Sequence, residues 1–352
     1  MSITQKAQLL AIAVALAGAA TVAQAQDFAG KTITIINSNP PGSGGDLHGR
    51  IFAKYFGSHL PGTPEVIVIN KTGGSGAAAM NFVYETGTKD GTTLCYCGFD
   101  AAAVIADAPG IRYVPENMDI IGSAVTNLVF AARKDRVPDA ASLTDDSALL
   151  IGGRGAGSAM GTMGNLGLRV LDANYRYIPG YGGFSKISAS MLADEVHAGH
   201  AGLSGFLRFF GWDHEDIGAM YYHPVFDAQG AELPRDSASL PETLPSISEL
   251  HETLHGAAPS GQWWDAYVWY RSRIMSATIA LTTPPGLEPG LVDVLQDAFQ
   301  QTTSDPEYLA EYRKTISEPP TFNSTEMSES LFSGFRDMPA GVAEALQEIV
   351  SE

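Results

Sequence analysis

Short apolar runs alternate with amphipathic stretches from residue 31 to about 130, the pattern of strands separated by helices. Ile33-Thr34-Ile35-Ile36 reads as a strand and leads into Asn39-Pro40-Pro41-Gly42-Ser43-Gly44-Gly45-Asp46. The helix predicted next shows Leu47, Ile51, Phe52, Tyr55 and Phe56 on one side, with Arg50 four residues after Asp46. A second strand, Val66-Ile67-Val68-Ile69, leads into Asn70-Lys71-Thr72-Gly73-Gly74-Ser75-Gly76 and an alanine-rich helix over 77–85. Strands are expected at 92–98 and 120–130. After a polar linker at 138–146 a similar series begins. Ala148-Leu149-Leu150-Ile151 leads into Gly152-Gly153-Arg154-Gly155-Ala156-Gly157-Ser158, and Tyr175-Arg176-Tyr177-Ile178 into Pro179-Gly180-Tyr181-Gly182-Gly183 and a helix at 185–194. Residues 227–262 are rich in Pro, Ser and Gly and read as an excursion. A strand at 274–282 and helices at 291–302 and 307–315 complete an α/β reading with largely parallel sheets.

The glycine-rich loops carry the chemistry. Each can aim unpaired backbone N–H groups at one point, with the positive end of a helix behind them. That arrangement suits an anionic group. None is a nucleotide signature: no Gly-x-x-x-x-Gly-Lys-[Ser/Thr] occurs, and Gly42-Ser43-Gly44 lacks the third glycine of the dinucleotide spacing. One such loop alone is explained by a tight turn that needs positive φ. Three of them at equivalent strand ends, two in the first series and one in the second, predict a two-lobed clamp around a cleft.

Charge narrows the guest. The 352 residues hold 39 acids against 21 lysines and arginines, a formal net charge of −18. This argues against nucleic acid and anionic membrane surfaces as partners. It does not exclude a small anion held at contact range, since surface carboxylates are screened over roughly 8–10 Å. At the N-terminus Lys6 precedes an apolar run over 9–22 and Ala23-Gln24-Ala25. This reads as a secretory signal peptide cleaved after Ala25, too short to span a bilayer comfortably. An exported protein without membrane insertion is expected. The two cysteines, Cys95 and Cys97, are expected to be buried small side chains on one face of a strand, because bridging them calls for strained geometry.

His251-Glu252-Thr253-Leu254-His255 is the sharpest competing motif. Two histidines at i and i+4 share a helix face, and the glutamate could activate a metal-bound water. A capping box, Ser246 with Glu249, and a stop at Gly256 make the helix short. A solvated surface helix is the preferred reading. The alternative is a secreted zinc-dependent hydrolase using His251, Glu252 and His255, with Asp265 a candidate third ligand. No serine completes Gly-x-Ser-x-Gly. The aromatic cluster Trp263, Trp264 and Trp269 is expected to serve packing. No cofactor is expected.

Taken in order, these motifs resemble the periplasmic solute receptors of tripartite tricarboxylate transporters, the Bug or TctC family, over nearly the whole mature chain. Pro40 to Asp46 with Arg50 resembles P-x-G-G-x-x-D followed by A-R. Asn70 to Gly76 resembles N-R-P-G-A-G-G, with Lys71 and Thr72 in place of arginine and proline. Asp90-Gly91-Thr92-Thr93-Leu94 resembles D-G-Y-T-L, and Gly155-Ala156-Gly157-Ser158 resembles G-x-G-S. Ile178-Pro179-Gly180-Tyr181-Gly182 resembles V-P-Y-K-G with an added glycine, and Pro245-Ser246-Ile247-Ser248-Glu249 resembles P-T-x-x-E.

The resemblance implies a type II periplasmic-binding fold: two α/β lobes, a hinge, and a ligand cleft between them. The first lobe is expected at 26–130, the second at 131–271, and 272–352 returns to the first with C-terminal helices. The expected ligand-binding residues are Asn39, Ser43, Gly44, Gly45 and Asp46 from the first loop, and Thr72, Gly73, Gly74, Ser75 and Gly76 from the second. Gly157, Ser158, Tyr181 and Ser204 are expected from the second lobe. The implied function is not enzymatic: capture of a mono-, di- or tricarboxylate in the periplasm and its delivery to membrane permease subunits.

Overall fold

The computed structural model describes residues 27–351 except 99–100, 106, 140, 146, 228, 278, 317, 319–320, 324–325, 327 and 330–337. The expected leader lies outside the described residues. Among those described, no helix is long and apolar enough to cross a membrane.

Two sheets organise the chain. The first contains β1 (Thr32–Asn37), β2 (Glu65–Asn70), β3 (Thr93–Cys97), β4 (Ile120–Val125), β10 (Ile279–Thr282) and β11 (Thr321–Asn323), in the order β11-β4-β10-β3-β1-β2. The second contains β5 (Leu128–Arg133), β6 (Leu149–Gly152), β7 (Tyr175–Ile178), β8 (Ala198–Gly202) and β9 (Ile217–His223), in the order β7-β6-β8-β5-β9. In each, the first strand of a parallel trio lies in the middle of that trio: β1 between β2 and β3, β6 between β7 and β8. In each, the next position is filled by an antiparallel strand that has just arrived from the other sheet, β10 in the first and β5 in the second.

Helices join the parallel strands, as such connections require. They are α1 (Gly44–Phe56) and α2 (Ala77–Thr86) in the first half. A short α3 (Ala101–Ile105) follows β3. In the second half they are α4 (Ala159–Val170), α5 (Phe184–Leu192) and α6 (Leu203–Phe209), then α7 (Ile247–His255) and α8 (Gln262–Trp269). The first core stacks Phe52 of α1 on Phe56 and Tyr96 and sets it against Phe299 and Tyr308, which come from α9 (Pro289–Ser304) and α10 (Pro306–Ile316). Gly122 on β4 admits the Phe299 ring, since a Cβ there would lie 2.3 Å from it. The last helix, α11 (Ala340–Ser351), does not pack on the first sheet. It lies against α8, α3 and α4, with Val342, Leu346 and Ile349 in the core cluster that also holds Met163 and Tyr267.

Three expectations need correction. The strand expected at 120–130 is two strands in different sheets, because the chain crosses at Thr126–Asn127 between β4 and β5. The strand expected at 274–282 begins only at Ile279. The residues before it form a π turn, Tyr270–Ile274, and a 3-10 turn, Met275–Ala277. Arg271 explains the irregularity. Fully buried, it donates to the carbonyls of Pro224 at 3.0 Å and Met275 at 2.9 Å, with longer contacts to those of Thr126 and His223. An unbonded buried cation is expensive, so the backbone winds to bring carbonyls to it. Third, Cys95 and Cys97 are disulfide-bonded, with Cα atoms 5.4 Å apart. A regular strand sets such residues about 6.6 Å apart, so β3 contracts locally to bring them well within a disulfide's reach.

Candidate ligand-binding site

A cavity of about 200 Å³ lies between the two sheets, at the carboxyl ends of their parallel strands. The N-terminal residues of four helices line it: Gly44 and Gly45 of α1, Ala159 to Gly161 of α4, Phe184 of α5, and Ser204 and Gly205 of α6. Peptide dipoles from both halves therefore present their positive ends to one space. Hydroxyls of Ser38, Ser43, Ser75, Thr126, Ser158 and Tyr177 surround it, and Phe184, Ile187, Met160 and Met275 supply apolar wall. Among the described lining residues Arg154 has the only permanent charge.

The first loop is rigid for reasons visible in its side chains. Ser43 caps α1: its Oγ accepts from the Asp46 amide and donates to the Pro40 carbonyl. Asp46 is buried at 2 % exposure and receives the Gly42 amide, the Arg50 guanidinium and the Asn70 amide at 2.7–2.9 Å. Burial alone would raise this carboxyl. The hydrogen bonds from Arg50, Asn70 and Gly42, with the Arg50 charge, outweigh it and hold the group below the ordinary carboxylate range. Asn70 also donates to the Asn39 carbonyl, so one carboxylate and one amide tie the two loops together. Gly45 is required, because a Cβ there would stand 2.4 Å from the Asn39 side chain.

The second loop runs through four consecutive residues of positive φ: Gly73, Gly74, Ser75 and Gly76. Three are glycines, which take this conformation freely. Ser75, at φ 56° and ψ 18°, is not, and its side chain faces the cavity. Across the cleft, the turn at 152–158 is clamped by hydrogen bonds from the Gly180 and Tyr181 amides to the Arg154 and Gly153 carbonyls. Ser158 caps α4, accepting from the Gly161 amide at 3.1 Å. The halves approach closely at two places. A Cβ at Gly155 would be 3.2 Å from Ser75 Oγ, and one at Gly44 would be 3.6 Å from Ser204 Oγ.

The cavity thus gathers Asn39, Ser43, Gly44, Gly45, Ser75, Ser158 and Ser204 from the residues expected to bind ligand. The others stand behind or beside it. Asp46 is the strut between the loops, and Thr72, Gly73, Gly74 and Gly76 shape the turn that presents Ser75. Gly157 lies against Val350 and Ala103, and Tyr181 packs its ring near Gly152. The sequence reading gave no site role to Arg154, Tyr177, His48 or His200, all of which line the cavity. His48 donates or accepts through Nδ1 with Tyr312 at 2.7 Å, and His200 pairs with the Tyr221 hydroxyl at 3.2 Å. Burial drives both below their ordinary value, to about 4 and about 3, so both imidazoles are neutral near neutral pH. A lone arginine inside a glycine turn of an acidic chain was the signal for Arg154.

The zinc motif does not assemble a site among the described residues. His251 and His255 share a face of α7, 4.4 Å between ring centroids, but His251 Nδ1 bonds to the Ala257 carbonyl. No group of three or more His, Cys, Asp or Glu suited to a metal occurs among the described residues.

No family model matches the sequence, and no curated protein matches it. Solved structures do. The periplasmic binding protein BugD superposes with a TM-score of 0.67 at 19 % identity, covering 90 % of this chain and 97 % of its own. MatC from Rhodopseudomonas palustris, solved with bound malate, gives 0.65 at 16 % identity, covering 91 % and 98 %. A second R. palustris protein, solved with adipate, gives 0.66 at 15 % identity over the same shares. At such identities the likeness speaks for the fold: this chain has the two-lobed α/β fold of periplasmic solute-binding proteins such as BugD.

Proposed function

We propose that this protein is an extracytoplasmic receptor of the Bug/TctC kind that captures an organic carboxylate between its lobes. The supporting observation is the convergence of helix N-termini from both halves on one hydroxyl-lined cavity. In a chain of formal charge −18, the only permanent charge among the described lining residues is positive. Two proteins of this fold were solved with malate and with adipate, which extends the carboxylate reading to this chain by likeness.

On this reading the chain divides near the expected boundaries, at 126–127 and 270–277, and the lobes close over the ligand. The protein has no catalytic role. It is exported through the 1–25 leader and hands its ligand to permease subunits in the membrane. Binding to the folded state alone raises thermal stability by mass action. Melting of ligand-stripped protein against a panel of mono-, di- and tricarboxylates should show a concentration-dependent rise with at least one acid. A flat response across the panel would overturn the proposal.

A further inference from the structure

We infer that the outer edge of β2 is an interface for a second copy of this chain, two protomers joining their first sheets edge to edge. This surface lies outside the ligand cavity, and its role does not depend on the carboxylate reading.

β2 ends the first sheet, paired with β1 on one side and, among the described residues, with no strand on the other. The amide of Lys71, just past its end, donates to the Asn37 carbonyl of β1 at 2.9 Å. Backbone groups alternate along a strand, so Ile67 and Ile69 also turn theirs toward β1, while Val66, Val68 and Asn70 turn theirs outward. An outward row of N–H and C=O groups is a template for another strand unless proline, a bulge or a central charge blunts it. β2 has none of these. Its register with β1 is unbroken over six residues, and the charges of Glu65 and Lys71 stand at the two ends. Val66 and Val68 pack on the first core, whereas Ile67 and Ile69 are 37 % and 48 % exposed. Burying those two isoleucines is favourable.

The chemistry of this edge selects its own copy. In an antiparallel pair with Val68 opposite Val68, outward groups meet outward groups. On the exposed face Ile67 then lies opposite Ile69 of the second copy, and Glu65 opposite its Lys71, each twice by symmetry. Centring the pair on Ile67 or Ile69 instead loses both ion pairs. Lys71 Nζ sits 4.4 Å from the centre of the Phe82 ring, which holds the cation at this end of the strand while its residue stays exposed. The copies repel through their formal charge of −18 each, but salt at physiological strength screens this beyond about 8 Å. Two short strands bury less than a standard interface, so the dimer is weak and depends on concentration.

Sedimentation equilibrium of the full mature chain, from about 1 μM to 1 mM at physiological salt, should show a reversible monomer–dimer equilibrium. Ile67→Lys combined with Ile69→Lys, both at exposed positions, should abolish it. Glu65→Lys alone should weaken it about 10-fold, although that change lowers the net negative charge and would favour non-specific association. Lys71→Glu alone should do the same, and Glu65→Lys with Lys71→Glu should restore it. Unliganded melting at low concentration reports the folding of each variant. Hydrogen exchange on the wild type needs no variant: the Val66, Val68 and Asn70 amides should gain protection as concentration rises. A monomer throughout the range would overturn the inference. So would a dimer that survives the isoleucine changes, a double charge swap that fails to rescue, or growth beyond two copies.

Discussion

Arg208, in α6 of the second half, donates a 2.7 Å hydrogen bond through Nη1 to the carbonyl of Gly42 in the first half. The Gly42 amide is itself held by Asp46, so the bond reaches across the cleft to a fixed point. On the proposed reading it belongs to the closed form. Arg208→Ala should therefore weaken binding of the best carboxylate a few-fold, consistent with about 0.5–1 kcal/mol for an exposed contact. The loss should appear in the dissociation rate, with unliganded melting unchanged. Stopped-flow displacement measures this; an unchanged off-rate would show that the bond does not hold the closed form.

Ser75 separates binding from stability. Its left-handed backbone costs about 1 kcal/mol in a non-glycine residue. Ser75→Gly relieves that strain but gives the unfolded chain about 0.4–1 kcal/mol of extra freedom. Unliganded stability should thus stay nearly level while affinity falls about 5- to 10-fold through the lost hydroxyl. Ser75→Ala should lose the same affinity and keep the strain. Urea unfolding and titration of both variants provide the comparison.

Asp46 should matter for the loops as structure. Asp46→Ala removes the acceptor for Gly42, Arg50 and Asn70 at once. A loss of about 3 kcal/mol is expected in denaturant unfolding, the low end of the range for breaking a buried charge network because Arg50 remains half exposed. Its pKa, held below the ordinary value, adds stability above pH 4 that fades as acid protonates it.

The buried histidines set a second pH dependence. His48, His200 and His223 all have folded-state values below 6.5, the first two at about 4 and about 3. Between pH 6.5 and 4 the unfolded chain binds these protons and the folded chain does not, so stability falls as pH drops through that window. Glu318 opposes them, since burial raises its carboxyl to about 8 and it remains protonated in the fold while the unfolded chain ionises above 4.5. Three against one leaves a net acid loss, with a slope of about 1.4 kcal/mol per pH unit for each proton of difference. His200→Gln should flatten the melting curve against pH in this window. An unaltered slope would mean that His200 does not contribute to it.

Local chemistry was legible in the sequence where it repeats. Each glycine loop follows an apolar strand and precedes an amphipathic helix, and Ser43, Ser75 and Ser158 stand where those patterns meet. Less local features were hidden. Nothing in Ala124-Val125-Thr126-Asn127-Leu128 marks a crossing between sheets, because both flanking strands are equally apolar and no glycine or proline separates them. Asp46 resembled a ligand contact because a carboxylate beside a glycine loop looks the same whether it faces the cleft or, as here, the opposite loop.

Arg271 holds carbonyls from both passages of the chain between the sheets, Thr126 on the outward path and Met275 on the return. With burial lowering its basicity only to about 10, it stays cationic at every physiological pH. Any swing of one half against the other must turn around this ion without stripping it of oxygen partners. On the proposed reading, bending therefore turns about this ion, because pulling the halves apart would strip the buried guanidinium of carbonyl partners. Opening, on that reading, is a lever motion: small at the guanidinium and larger at Gly42 and Arg208, which lie far from it along the chain's two halves.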